Sequence, residues 1–142
     1  MIDNKSIKKL IIITFILDLF LFGTIYYNKN KLFDCIWISS VIVCHILFYY
    51  SLINYNVYIL NILHYLIFIL PSLSLFTNNI FINIISFLVI ILIQFLWIYE
   101  KKCILNENDK QFGFGNELHY YVILLSSLLA LNIGYNLNYF IL

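Results

Sequence analysis

Asp18, His45 and His64 are the residues of this chain best suited to chemistry, because each is ionisable and each is embedded in a long apolar run. An ionisable group in hydrocarbon is costly, so it is expected to face inward, to pair, or to serve a function. Three roles follow from these residue types. A carboxylate beside an imidazole can relay a proton near neutral pH. Two histidines on facing helices can be the axial ligands of a b-type haem, although no glycine flanks His45 or His64 to admit a macrocycle. The third role is structural: each group is satisfied by a hydrogen bond that holds neighbouring helices together.

The elements that must position these residues are apolar helices. Of 142 residues, 63% are hydrophobic and 11% are charged, whereas about a quarter of an ordinary soluble domain is charged. The expected fold class is therefore an all-α integral membrane protein, a single domain over residues 1–142 built as a bundle of about five transmembrane helices. A span needs roughly 20 apolar residues, and the spans expected are about 10–27, 32–54, 57–76, 80–99 and 118–139. Polar breaks separate them at Asn28-Lys29-Asn30-Lys31, at the hinge from Ser51 to Asn56, at Thr77-Asn78-Asn79 and over Glu100 to Glu117. Lys5, Lys8 and Lys9 ahead of the first run resemble a secretory n-region, yet no small-x-small cleavage site follows, so the first span is expected to be retained. Pro71 lies inside the third span, where it should deprive the Ile67 carbonyl of its helical donor and bend the helix unless a neighbour repairs the gap. Trp97, Tyr99, Lys101 and Lys102 end the fourth span as at a membrane interface.

Five spans put the N-terminus, the central hinge and the Glu100 to Glu117 segment on one side. That side holds Lys5, Lys8, Lys9, Lys101, Lys102 and Lys110, leaving Lys29 and Lys31 on the other, so the lysine-rich side is read as the inner one. A rise of 1.5 Å per residue then brings Asp18, His45 and His64 to roughly 10 to 14 Å from the inner boundary. Ser126 and Ser127 reach a similar level on the fifth span, with Gln94 somewhat nearer the surface. These six residues are the expected intramembrane polar layer, and a histidine is the natural partner for Asp18. Ser126, Ala130 and Gly134, each four apart, form a ridge of small residues that lets another helix approach closely. That face is expected against protein rather than lipid.

Several classes of activity are excluded by what is missing. The HExxH and GxSxG signatures are absent, and Phe112-Gly113-Phe114-Gly115 makes neither a GxGxxG nor a Walker loop. Cys35, Cys44 and Cys103 show no CxxC pair and no zinc-like spacing, so no metal site is expected. A formal charge of +1 and the lack of a basic patch give no nucleic-acid partner. The longest hydrophilic segment is too short to fold as a catalytic domain, and catalysis by this chain alone is not expected.

Lysine is the sole basic residue apart from histidine, and Ile, Asn, Lys, Phe and Tyr are abundant, as A+T-rich codons would specify. With an apolar multi-pass pattern beginning on Met1 and no import presequence, the chain resembles the small multi-pass respiratory-chain subunits encoded in A+T-rich, protist-like mitochondrial genomes. His45 followed by Asn54-Tyr55 resembles the complex II membrane anchors, in which a haem histidine precedes an Asp-Tyr pair; here the acid is replaced and the spacing is shorter. The resemblance implies a structural or accessory subunit of a respiratory complex in the mitochondrial inner membrane. Its partners would be other membrane subunits and bound phospholipids, with no cofactor of its own. Two alternatives stand beside it: a haem- or quinone-binding anchor using His45 and His64, with haem b as cofactor, and a small proton-coupled transporter or channel using Asp18.

Overall fold

A computed structural model describes residues 4–27, 31–54, 56–100 and 116–141 of the chain. The fold is all-α: five helices and no strand among the described residues. The helices are α1 (Asn4–Tyr27), α2 (Leu32–Asn54), α3 (Val57–Ser74), α4 (Ile80–Glu100) and α5 (Asn116–Ile141). The segments 28–30 and 101–115 lie outside the described residues, and with them Lys29, Lys101, Lys102, Cys103, Lys110 and the Phe112 to Gly115 stretch. The lysine asymmetry and the interfacial placing of Trp97 and Tyr99 rest largely on residues that are not described.

The helix boundaries follow backbone hydrogen bonding rather than the edges of the apolar runs. α1 starts at Asn4, ahead of the expected residue 10, because lysine is a good helix former and the ladder continues through it. α3 stops at Ser74, short of the expected residue 76. From there the chain tightens into bonds of the i→i−3 kind, Leu75 N to Ser72 O at 3.3 Å, Phe76 N to Leu73 O at 3.1 Å and Thr77 N to Ser74 O at 3.1 Å. Asparagines mark two starts. The Asn56 side chain accepts from Ile59 N at 3.2 Å to cap α3, and Asn79 Oδ1 accepts from Phe81 N at 3.1 Å at the head of α4.

Pro71 falls in the last turn of α3 and is buried. Side chains serve the carbonyls around it. The Trp37 indole on α2 donates to Leu70 O at 2.7 Å, the Ser72 hydroxyl to Phe68 O at 2.7 Å and the Ser74 hydroxyl to Pro71 O at 2.7 Å. The neighbouring helix thus serves the Leu70 carbonyl, not the Ile67 carbonyl that Pro71 leaves without its helical donor.

Successive helices pack against one another in chain order, α1 on α2, α2 on α3, α3 on α4 and α4 on α5. Two apolar clusters hold them. One joins Leu21 of α1, Trp37 and Ile38 of α2 and Ile82 of α4; the other joins Phe68 of α3, Ile90 of α4 and Val122, Leu125 and Leu129 of α5. α4 belongs to both and forms the shared wall, with Asn83 and Ser86 buried between its two apolar anchors.

Polarity is distributed against the habit of water-soluble folds. Among the described residues ten polar or charged side chains are buried beside ten hydrophobic ones and Pro71, where a soluble core is expected to be overwhelmingly apolar. The exterior carries the large hydrophobics, with Phe20 64%, Leu32 78%, Tyr58 75% and Phe76 79% exposed. By length and composition, two stretches are long and apolar enough to cross a membrane, Leu32–Asn54 and Tyr120–Asn138; Ile11–Ile25, Tyr58–Ser74 and Ile80–Phe95 are shorter apolar stretches.

Candidate functional site

Asp18 and His45 face each other across the contact between α1 and α2, with His45 Nδ1 at 2.6 Å from Asp18 Oδ1. Two lone pairs would repel at that distance, so a proton lies between the two atoms and the contact is a charge-assisted hydrogen bond or its neutral counterpart. Tyr49, one helical turn beyond His45, donates its hydroxyl to the other carboxylate oxygen at 3.4 Å. His45 and Tyr49 are spaced i, i+4, so one stripe of α2 supplies both donors. Only 12% of the Asp18 side chain and 19% of His45 is exposed. Little water remains to screen the pair, and each partner depends on the other.

His45 also lines a cavity of about 220 Å³ between α1, α2, α3 and α4. Thr14, Trp37, His64 and Ser86 share its walls, and the remainder is aliphatic or aromatic apart from Cys44. His64 enters from α3, its ring edge-on to Phe68 one turn further along, with centroids 6.1 Å apart. The Ser86 hydroxyl is fully buried and makes no hydrogen bond. A buried hydroxyl without a partner is uncommon.

The expected polar layer therefore divides. Asp18 and His45 are bonded and His64 lines the same cavity. Gln94 is half-buried on α4 and is not on the cavity wall. Ser126 is buried but donates to Ile123 O of its own helix at 2.8 Å, and Ser127 is exposed and donates to the same carbonyl at 2.9 Å. These serines turn back on their own backbone, as serine in a helix commonly does.

Within this chain the small-residue ridge is not packed along its length. Ser126 is buried, but Ala130 and Gly134 are exposed, and a Cβ placed on Gly134 would meet nothing within 4 Å. Within this chain α5 turns Val122, Leu125, Leu129 and Asn136 inward instead.

A second polar centre went unremarked in the sequence reading. Asp34 is buried at the start of α2, accepting from the Thr77 hydroxyl at 2.5 Å and from Asn79 Nδ2 at 3.4 Å. Thr77 Oγ1 in turn accepts from Asn79 N at 3.0 Å, and Thr77 O accepts from Asn83 Nδ2 at 3.1 Å. Asp34 reads in sequence as an acid in a helix's first turn, which the helix dipole alone would favour. The missed signal is symmetry about the hinge: Asp34 is 21 residues before Tyr55 and Thr77 is 22 after it, so an antiparallel hairpin brings them level.

Chemically, the first centre can hold a proton and a small guest. No group of three or more His, Cys, Asp or Glu able to hold a metal exists among the described residues. The cavity is smaller than the roughly 300–1,000 Å³ of typical small-molecule sites. Compared with protein-family models, curated proteins and solved structures, the chain matches none.

Proposed function

We propose that this chain is an integral membrane protein whose five helices cross a bilayer, and that it serves as a non-catalytic accessory subunit of a larger assembly. The assembly is of the respiratory-chain kind in a mitochondrial inner membrane. The observation that carries the membrane part is the inverted polarity. In water, exposing Phe20, Leu32, Tyr58 and Phe76 while burying Asp18, Asp34 and Asn83 is unfavourable on both counts; in hydrocarbon the same arrangement is favourable on both. Helix length supports it in part: Leu32–Asn54 and Tyr120–Asn138 are long and apolar enough to span, and α3, the shortest helix at 18 residues, is about 27 Å long.

The accessory part is supported by the absence of catalytic signatures, by the A+T-biased composition and by the exposed small residues Ala130 and Gly134 on α5. Other membrane subunits and phospholipids would cover this exterior. Alkaline carbonate extraction of membranes should leave the chain in the pellet, and native electrophoresis should show it migrating with redox subunits. Release into the carbonate supernatant would sink the membrane reading; migration as a lone monomer would sink the accessory one.

The Asp18–His45 contact favours a second reading, a small proton-coupled transporter or channel, because an intramembrane carboxylate bonded to an imidazole is a natural proton-handling unit. Asp18→Asn should then abolish proton-driven flux in liposomes. Flux equal to the parent protein would remove this reading. The haem-anchor reading draws less support, since the cavity is small; a b-haem absorption that disappears in His45→Ala would restore it.

A further inference from the structure

We propose that the cavity between α1, α2, α3 and α4 binds a small, uncharged, lipid-soluble phenol, whose hydroxyl hydrogen-bonds to Nε2 of His45. The anchor follows from how the His45 ring is held. Its two nitrogens lie on different edges of the imidazole. Nδ1 is committed to Asp18 at 2.6 Å, and Asp18 is off the cavity wall while His45 is on it. The edge that bears Nε2 is therefore the one left for the cavity. Nε2 also keeps accessible surface. Among the described residues, the fully buried side-chain nitrogens and oxygens without a hydrogen bond are Asn83 Oδ1 and Ser86 Oγ. Nε2 has no hydrogen-bond partner either yet is not enclosed to that degree, in keeping with the 19% exposure of the His45 side chain. Ser86 shares the wall, but its hydroxyl is out of a guest's reach.

Volume sets the size of the guest. An apolar cavity of about 150 Å³ holds a benzene ring, so about 220 Å³ holds one ring with short substituents. The walls exclude a charge: no lysine reaches them, and Thr14 and Trp37 already donate to Ile11 O and Leu70 O. An ion would sit unpaired among carbons, which is costly. His45 sets the need for a hydroxyl. The Asp18 carboxylate fixes the orientation of the ring, so a guest meets Nε2 in a set position. That nitrogen accepts when it carries no proton and donates when it carries one; a hydroxyl answers both, being donor and acceptor at once. The inference needs the association of α1 to α4 and not the bilayer or any partner subunit, so it stands or falls separately from the accessory-subunit reading.

The test uses the full chain in detergent micelles with two probes that exchange a hydroxyl for a methyl group, para-fluorophenol and para-fluorotoluene, followed by fluorine NMR. The phenol should bind saturably and more tightly than the hydrocarbon. Asp18→Asn combined with His45→Gln removes the ring nitrogen and strands no charge. It should raise the phenol's Kd about three- to tenfold, the value of one hydrogen bond, and leave the hydrocarbon's unchanged. Val89→Phe, which fills the cavity from its α4 wall, should abolish saturable binding of both. Nitrogen NMR of the unmutated chain with isotope-labelled histidine keeps the test usable should either variant fail to fold. The ring with the short Nδ1 bond, recognised by its far-downfield proton, should show an Nε2 signal that moves with the phenol and stays in place with the hydrocarbon. An Nε2 signal unmoved by saturating phenol would overturn the proposal, as would a phenol Kd unchanged in the double variant. Fluorine signals that grow linearly with probe in every variant, or equal Kd values for the two probes, would overturn it as well.

Discussion

The Asp18–His45 contact is valuable to this molecule less for what it adds than for what its loss would leave behind. A buried charged or strongly polar pair roughly balances its own desolvation, whereas removing one partner strands the other. Asp18→Leu and His45→Leu should each destabilise the chain by about 3 to 5 kcal/mol, and the double variant by clearly less than the sum. Strictly additive losses in a detergent unfolding series would mean that the two side chains do not depend on each other. Tyr49→Phe should cost under about 1 kcal/mol, because its 3.4 Å contact is at the long end for a hydroxyl donor. Thr77 stands differently. Its hydroxyl donates to Asp34 and accepts from Asn79 N, so Thr77→Val should cost about 1.5 to 3 kcal/mol, while Thr77→Ser should restore most of it.

Among the elements, α4 and α2 do the positioning. α4 faces α1 and α2 with Ile82 and faces α3 and α5 with Ile90, and Asn83 and Ser86 between them are buried. α2 carries three of the long-range polar contacts: Asp34 to the turn after α3, Trp37 to the end of α3, and His45 to α1. Trp37→Phe keeps the ring and removes the donor to Leu70 O. It should cost about 1 kcal/mol in thermal unfolding, and a silent variant would show that Pro71 needs no support from α2. Leu129→Ala, at the centre of the α5 stripe, should cost about 2 to 5 kcal/mol through the void it leaves. A cost near zero would mean that α5 is not seated on α3 and α4 as described.

At the scale of the whole molecule, large hydrophobic side chains line the exterior of the described residues, and on α5 the small residues Ala130 and Gly134 are exposed among them. Gly134→Leu separates a role inside the chain from a role between chains. A side chain there meets nothing within 4 Å and leucine is the better helix former, so the isolated chain should be as stable as before or slightly more so. Its co-migration with a larger membrane assembly should fall if α5 is a contact face. Full incorporation of the variant would leave that face to lipid.

The sequence by itself determined the helices and the demand that Asp18 find a partner. Both are local matters: an unbroken apolar run with its backbone bonded internally forms a helix wherever it sits, and a carboxylate in such a run is costly in any fold. Sequence depth even brought His45 and His64 level with Asp18. Choosing between them was beyond it, because partners are set by rotation about the helix axis, about 100° per residue, and helices that are apolar all round offer no stripe to read. Only the tertiary structure decided that His45 takes Asp18, that Asp34 meets Thr77 across the hairpin, and that α5 turns Leu129 inward and Gly134 outward. Each of those choices depends on how whole helices turn and slide against their neighbours.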